Sequence, residues 1–145
     1  MTLSRATTIA LALACAGLVA DGVGGQGRPD RQPALIPPGA TSLEGIPTVR
    51  IDSTEGSTTG RILDAAEAAK AKLKVKVIDG QYFWATRGDR ALRLNTTGEF
   101  TYLTSDPGNY IRLMRLNDRI SYVEHVDVTS GSVTWFGELK IVVRD

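Results

Sequence analysis

The stretch Val75-Lys76-Val77-Ile78-Asp79-Gly80-Gln81-Tyr82-Phe83-Trp84 decides how this chain is to be folded. Apolar residues alternate on either side of Asp79-Gly80. A two-residue turn of that composition takes positive φ at both centres without strain, which matches the twist of two flanking strands. Pairing across it sets Val77 against Tyr82 and Val75 against Trp84. The stretch is a β-hairpin.

Working toward the C-terminus, further turn signals fall at Gly88-Asp89, Thr97-Gly98, Asp106-Pro107-Gly108-Asn109, Asn117-Asp118 and Ser130-Gly131. The runs between them are rich in Val, Ile, Leu, Tyr, Phe, Trp and Thr. Turns every nine residues or so predict an antiparallel meander of about seven strands. Around Gly88-Asp89 the expected pairs are Phe83 with Leu94, Ala85 with Leu92, and Trp84 with Arg93, the last as a cation–π pair. If Ser130-Gly131 forms a two-residue loop, Val126 faces Trp135, Tyr122 faces Leu139 and Ile120 faces Ile141. Each pair lies on one apolar face, as a correct register requires.

Glu124 falls inside that apolar row, opposite Gly137, with Ile111 on its other side. Desolvation disfavours an ionised carboxylate there and raises its pKa. A raised carboxylate is the tool of general acid–base catalysis, so Glu124 is the candidate catalytic residue. The structural alternative gives it an inward arginine, for which Arg115 on the neighbouring strand is placed, or a position at the rim in water. His125 is the only histidine. It is adjacent to Glu124 but points to the opposite face, because strand neighbours alternate. There it joins Tyr110 and Phe136 in an aromatic row, read as cross-strand packing or as a ligand or partner patch. With only Asp127 in line with it, His125 has too few companions for a metal, and no cofactor is implied.

Upstream, Ser57 to Lys74 reads as a helix. Ser57 or Thr58 caps it, and Ile62, Ala66, Ala69 and Leu73 recur at the spacing of one buried stripe. Asp64 and Glu67 stand early and Lys70, Lys72 and Lys74 late, in line with the helix dipole. The fold class expected is therefore α+β: one N-terminal helix packed on a curled antiparallel meander, as a small barrel or sandwich-like sheet.

Residues 1–20 have the pattern of a signal peptide: Arg5, an apolar run from Ala6 to Val19, then small residues. Ala14-Cys15-Ala16 suits cleavage after Ala16, and Ala20 offers a second site. Cys15 is the only cysteine; the alternative to cleavage beyond it is lipidation of Cys15 itself, behind an imperfect lipobox. The destination expected is secreted or periplasmic in a bacterium, or membrane-bound through that lipid anchor alone. Residues 21–47, dense in Gly and Pro, read as a flexible linker, which leaves 48–145 as a single globular domain. Disulfides and thiolate zinc sites have no cysteines to use.

The chain has 17 Lys and Arg against 16 Asp and Glu, and loss of Arg5 with the signal leaves 16 against 16. No global field draws such a domain to nucleic acid or anionic lipid. The basic runs at Lys70, Lys72, Lys74 and Lys76 and at Arg87, Arg90 and Arg93 read as solvated edges. Together these features point to an exported, non-enzymatic binding module for a protein or a small apolar ligand. The alternative is a small hydrolase or isomerase that uses Glu124 in a pocket of the curled sheet, with Arg115 or Tyr122 assisting.

Overall fold

The computed structural model describes residues 34–144. The reading of residues 1–20, including Cys15, lies outside them. In the described part β1 (Ala40–Thr54) leads into β2 (Ser57–Ile62), a short helix α1 (Ala65–Lys70), β3 (Leu73–Ile78) and β4 (Gln81–Trp84). A 3₁₀ turn at Ala85–Arg87 precedes β5 (Arg90–Thr97), β6 (Phe100–Thr104), β7 (Tyr110–Leu116), β8 (Arg119–Val128) and β9 (Gly131–Val143). Every pairing is antiparallel.

The meander from β3 to β9 closes on itself through β1. That strand pairs with β9 from Ala40↔Val143 to Thr54↔Gly131, and its first part pairs on the other side with β3, from Ser42↔Lys76 to Gly45↔Leu73. Eight strands, β1 and β3–β9, thus form a closed antiparallel barrel. Beyond Pro47 the barrel-side neighbour of β1 changes from β3 to β2, which pairs Val49↔Ile62 through Thr54↔Ser57. A bulge between Pro47 and Val49 makes that exchange. It is accommodated by Gly137 across the ladder, where a Cβ would lie 2.1 Å from the Ile46 carbonyl oxygen.

The α+β expectation is therefore wrong: the protein is nearly all β, without the N-terminal helix. Of the span Ser57–Lys74, the first part is strand β2, the last residues open β3, and only Ala65–Lys70 is helical. Glu55-Gly56 turns the chain into a hairpin, with Gly56 at φ 82°, and Ser57-Thr58-Thr59-Gly60 disfavours helix through β-branching and glycine. The helix begins instead at Asp64, whose side chain accepts from Glu67 N while Glu67 Oε2 accepts from Asp64 N. That reciprocal cap supports a short helix in the link between two strands. The supposed buried stripe is not one, since Ile62 is 83% exposed and Leu73 is buried as a strand residue.

Closure, not a covering helix, buries the apolar face. Leu43, Leu73, Val75, Trp84, Leu92, Leu103, Ile111, Leu113, Tyr122 and Leu139 fill the interior. Each large side chain so buried stabilises the fold by about 1.5–3 kcal/mol. Ile36 belongs to this core and Leu35 packs against it. The linker read over 21–47 consequently overlaps folded chain: Ala40–Pro47 is strand, and the apolar pair Leu35-Ile36 outweighs its Gly and Pro surroundings by reaching the core.

Candidate functional site

Both Asp79 and Gly80 have positive φ, 50° and 75°, and Val75↔Trp84 and Val77↔Tyr82 pair as the turn chemistry requires. This register carries Trp84 inward at the end of β4. There the strand stops. Ala85–Arg87 winds into a 3₁₀ turn ended by Gly88 at φ 74° and Asp89 at φ 54°. The turn consumes residues that a simple hairpin would have paired, so Trp84 faces Arg90, not Arg93, and Tyr82 faces Leu92. The expected Trp84–Arg93 stacking does not form. The turn instead folds Arg87 back over the barrel mouth.

Glu124 comes to that mouth from β8. The β8–β9 loop is Thr129-Ser130, with Val128 opposite Gly131, two residues out of the expected register. A slip of two preserves which face each residue occupies. The row Ile120, Tyr122, Glu124, Val126 thus keeps one face, but Glu124 stands opposite Trp135 and Tyr122 opposite Gly137. On the other side Glu124 pairs with Ile111, as the spacing suggested.

The Glu124 side chain is 1% exposed. Its Oε1 accepts from Trp84 Nε1 at 3.1 Å and from Arg87 Nε at 3.2 Å, and Arg87 Nη2 lies 3.1 Å from the same oxygen. Burial raises the carboxyl pKa, and the Arg87 charge, its hydrogen bond and the Trp84 bond only partly oppose that rise. The arginine is Arg87 and not Arg115, which pairs across from Ile120 toward the far end of β7 and is exposed. Arg87 also lies over Trp135, 4.7 Å from its ring centroid, with Arg50 at 5.7 Å. The cation–π partner of Arg50 and Arg87 is therefore Trp135. Sequence pattern could not single out Arg87, because its approach depends on the 3₁₀ turn.

Tyr122 lies over Gly45, where a Cβ would come within 2.6 Å of the ring. Its hydroxyl is buried with no partner among the described residues. Burial, and then the charge of Glu124, raise its pKa far above the usual tyrosine range. A buried phenol beside a buried carboxylate resembles acid–base machinery, but an entry is needed as well. Neither Glu124 nor Tyr122 lines the cleft of about 210 Å³ beside them, whose wall is made by Trp84, Arg87, Arg90, Asn109, Val126 and Asp127.

On the outer face, Tyr110 and His125 meet as expected, their rings stacked at 5.1 Å. Phe136 does not join them. The two-residue slip sets it against Val123 and places Thr134 beside His125, where Thr134 Oγ1 lies 2.8 Å from Nδ1. Asp127 Oδ1 lies 3.2 Å from Nε2. The aromatic row runs the other way, through Tyr102 at 6.2 Å from Tyr110 and Phe100 at 6.3 Å from Tyr102. Among the described residues no group of three His, Cys, Asp or Glu side chains is placed to hold a metal.

A cleft opens beside the Glu124 mouth, where β2 and β3 part company along β1. Its volume is about 530 Å³, and Arg50, Arg61, Lys70, Lys72, Arg87 and Trp135 are in its wall. Residues read as separate solvated edges, Lys70 and Lys72 on one side and Arg87 on the other, are neighbours here. No family model, no curated protein and no solved structure matches this chain.

Proposed function

We propose that the chain is a non-enzymatic binding module, in which the barrel is a filled scaffold and the ligand surface lies outside one mouth. One observation carries this reading. Glu124, the residue best suited to catalysis, is shut away at 1% exposure and spends its accepting oxygen on Trp84 and Arg87. A general acid or base must come within hydrogen-bond reach of substrate, and the clefts that adjoin Glu124 are walled by its donors Trp84 and Arg87 and by Trp135 rather than by the carboxylate. The same packing speaks against an apolar ligand inside the barrel, since Leu43, Leu103, Ile111 and Tyr122 already occupy the space. An exported setting rests on the pattern of residues 1–20 and is part of the proposal.

Hydrogen exchange at the Trp84 indole N–H tests the reading. The chain has two tryptophans, and Trp84→Phe and Trp135→Phe assign their NMR signals. A Trp84 proton bonded to a buried carboxylate should exchange slower than free indole by on the order of a thousandfold or more. Exchange at the free-indole rate in the native protein would reveal a solvent-open pocket at Glu124, the arrangement the enzyme reading needs.

A further inference from the structure

The cleft beside the Glu124 mouth brings together more positive charge than the fold uses. Five basic side chains line it, from β1 (Arg50), β2 (Arg61), the end of α1 (Lys70), the link between α1 and β3 (Lys72) and the 3₁₀ turn (Arg87). Glu67 is the one carboxylate in the wall, and it is bonded to Arg61. Arg50 is held by Asp52 and Arg87 by Glu124. Lys70 and Lys72 have no carboxylate within ion-pair distance among the described residues. Counting Asp52 and Glu124 with Glu67, five cations still face three anions. Like charges gathered without compensation repel, and the lysines in particular gain nothing from each other.

A second observation is independent of charge. Trp135 lines the same cleft and is 8% exposed, yet its Nε1 is buried with no acceptor among the described residues. A buried N–H without a partner is costly, and native structures carry few of them. The cleft thus combines surplus cations with a wall tryptophan whose buried N–H is unpaired among the described residues, and the cations call for a group bearing negative charge.

We propose that this cleft binds a small phosphate-bearing ligand, a phosphomonoester or diphosphate on a compact organic body. A single carboxylate would be saturated by one arginine fork, whereas a phosphate presents three or more acceptor oxygens to donors converging from several directions. The volume, about 530 Å³, exceeds what one phosphate group fills and lies in the range of small-molecule sites. Leu63, Ala71 and the Trp135 ring supply an apolar wall for the remainder. The proposal rests on the binding-module reading and names its ligand class.

Titration of the ¹⁵N-labelled chain with pyrophosphate at low ionic strength tests it. The Trp135 indole signal should move saturably, and the Trp84 signal, already bonded to Glu124, should move far less. Lys70→Gln with Lys72→Gln should weaken the apparent Kd about tenfold or more, the loss of roughly one charge-assisted hydrogen bond's worth of free energy. Lys70→Arg with Lys72→Arg should retain most of the affinity. Absence of saturation, a shift confined to Trp84, or equal affinity in the double Gln variant would overturn the proposal. None of these outcomes bears on the exchange rate of the Trp84 indole in the free protein, so failure of the ligand class is distinguishable from failure of the module reading.

Discussion

Trp84 and Glu124 stand 40 positions apart and are joined across the barrel end by an indole N–H···Oε1 bond of 3.1 Å, both side chains about 1% exposed. The bond ties the first hairpin of the meander to its penultimate strand. It also gives Glu124 a structural role, because the carboxylate satisfies an indole N–H that closure of the barrel would otherwise bury unpaired. Arg87 lies on the solvent side of the same oxygen, 34% exposed, and completes the seal.

Removal of the acceptor should therefore cost more than removal of the charge. Glu124→Leu leaves Trp84 Nε1 and Arg87 without a partner and should destabilise by roughly 2–4 kcal/mol, at the lower side of buried-pair losses because Arg87 reaches water. Glu124→Gln keeps an oxygen in place and should stay within about 1 kcal/mol of wild type near neutral pH. Urea denaturation of both variants checks this. Equal losses would mean that the charge and not the acceptor holds the mouth together.

The pH dependence follows from the direction of the Glu124 shift. Its pKa in the folded chain is raised above the ordinary 4.5, chiefly by burial. Between the ordinary value and the folded one, the native state binds more protons than the unfolded state. The linkage slope is then negative, so this group's contribution to stability is fullest below the ordinary glutamate range and declines as pH rises through the folded pKa. The difference in unfolding free energy between wild type and Glu124→Gln, followed from about pH 4 upward, should accordingly shift in favour of Gln as pH rises. A difference that moves toward wild type with rising pH would show that Arg87 outweighs burial.

Tyr122→Phe should be neutral or stabilising by up to about 1 kcal/mol, because it deletes a buried hydroxyl that lacks a partner while the ring remains packed over Gly45. A loss above that size would show that the hydroxyl is bonded in solution. The thermal midpoint and the urea midpoint both report it.

Gly137→Ala should be severe for a glycine in a strand. Its new methyl would meet the Ile46 carbonyl oxygen at 2.1 Å and the Pro47 Cα at 2.8 Å, and backbone at a bulge yields poorly. A loss of about 3 kcal/mol or more is expected, at or beyond the usual overpacking range. A tolerated alanine would mean that β1 does not approach β9 so closely at its bulge.

Ile36→Ala should cost about 2–4 kcal/mol, as for other buried aliphatic residues. The residue is 8% exposed within the core although it stands among prolines and precedes the barrel's first strand. An unchanged midpoint would return residues 34–39 to the status of a linker.

The features legible in the amino-acid sequence are those that depend on near neighbours. Asp79-Gly80 demands positive φ at both centres, so the hairpin pairing Val75 with Trp84 could be read from a few residues. Strict alternation placed Ile120, Tyr122, Glu124 and Val126 on one face, and that survived an error of two in the β8–β9 register because side-chain direction repeats every two residues. The same periodicity could not detect the error, which moved Trp135 to face Glu124 and carried Phe136 away from His125.

Everything else waited on contacts between distant parts of the chain. Ser57–Lys74 looked helical by apolar spacing, but β2 gains its ladder from Val49–Thr54 and β3 from Ser42–Gly45, pairings that outweigh a stripe of alanines. Closure of the barrel depends on β1 meeting β9, with Leu43 against Ile141, across almost the whole described chain. No local propensity encodes a contact of that separation, because its reward appears only once the loop between is closed. The arginine at Glu124 is Arg87 and not Arg115 for the same reason: a 3₁₀ turn and a closed wall bring it there, and neither has a local spacing from which it could be read.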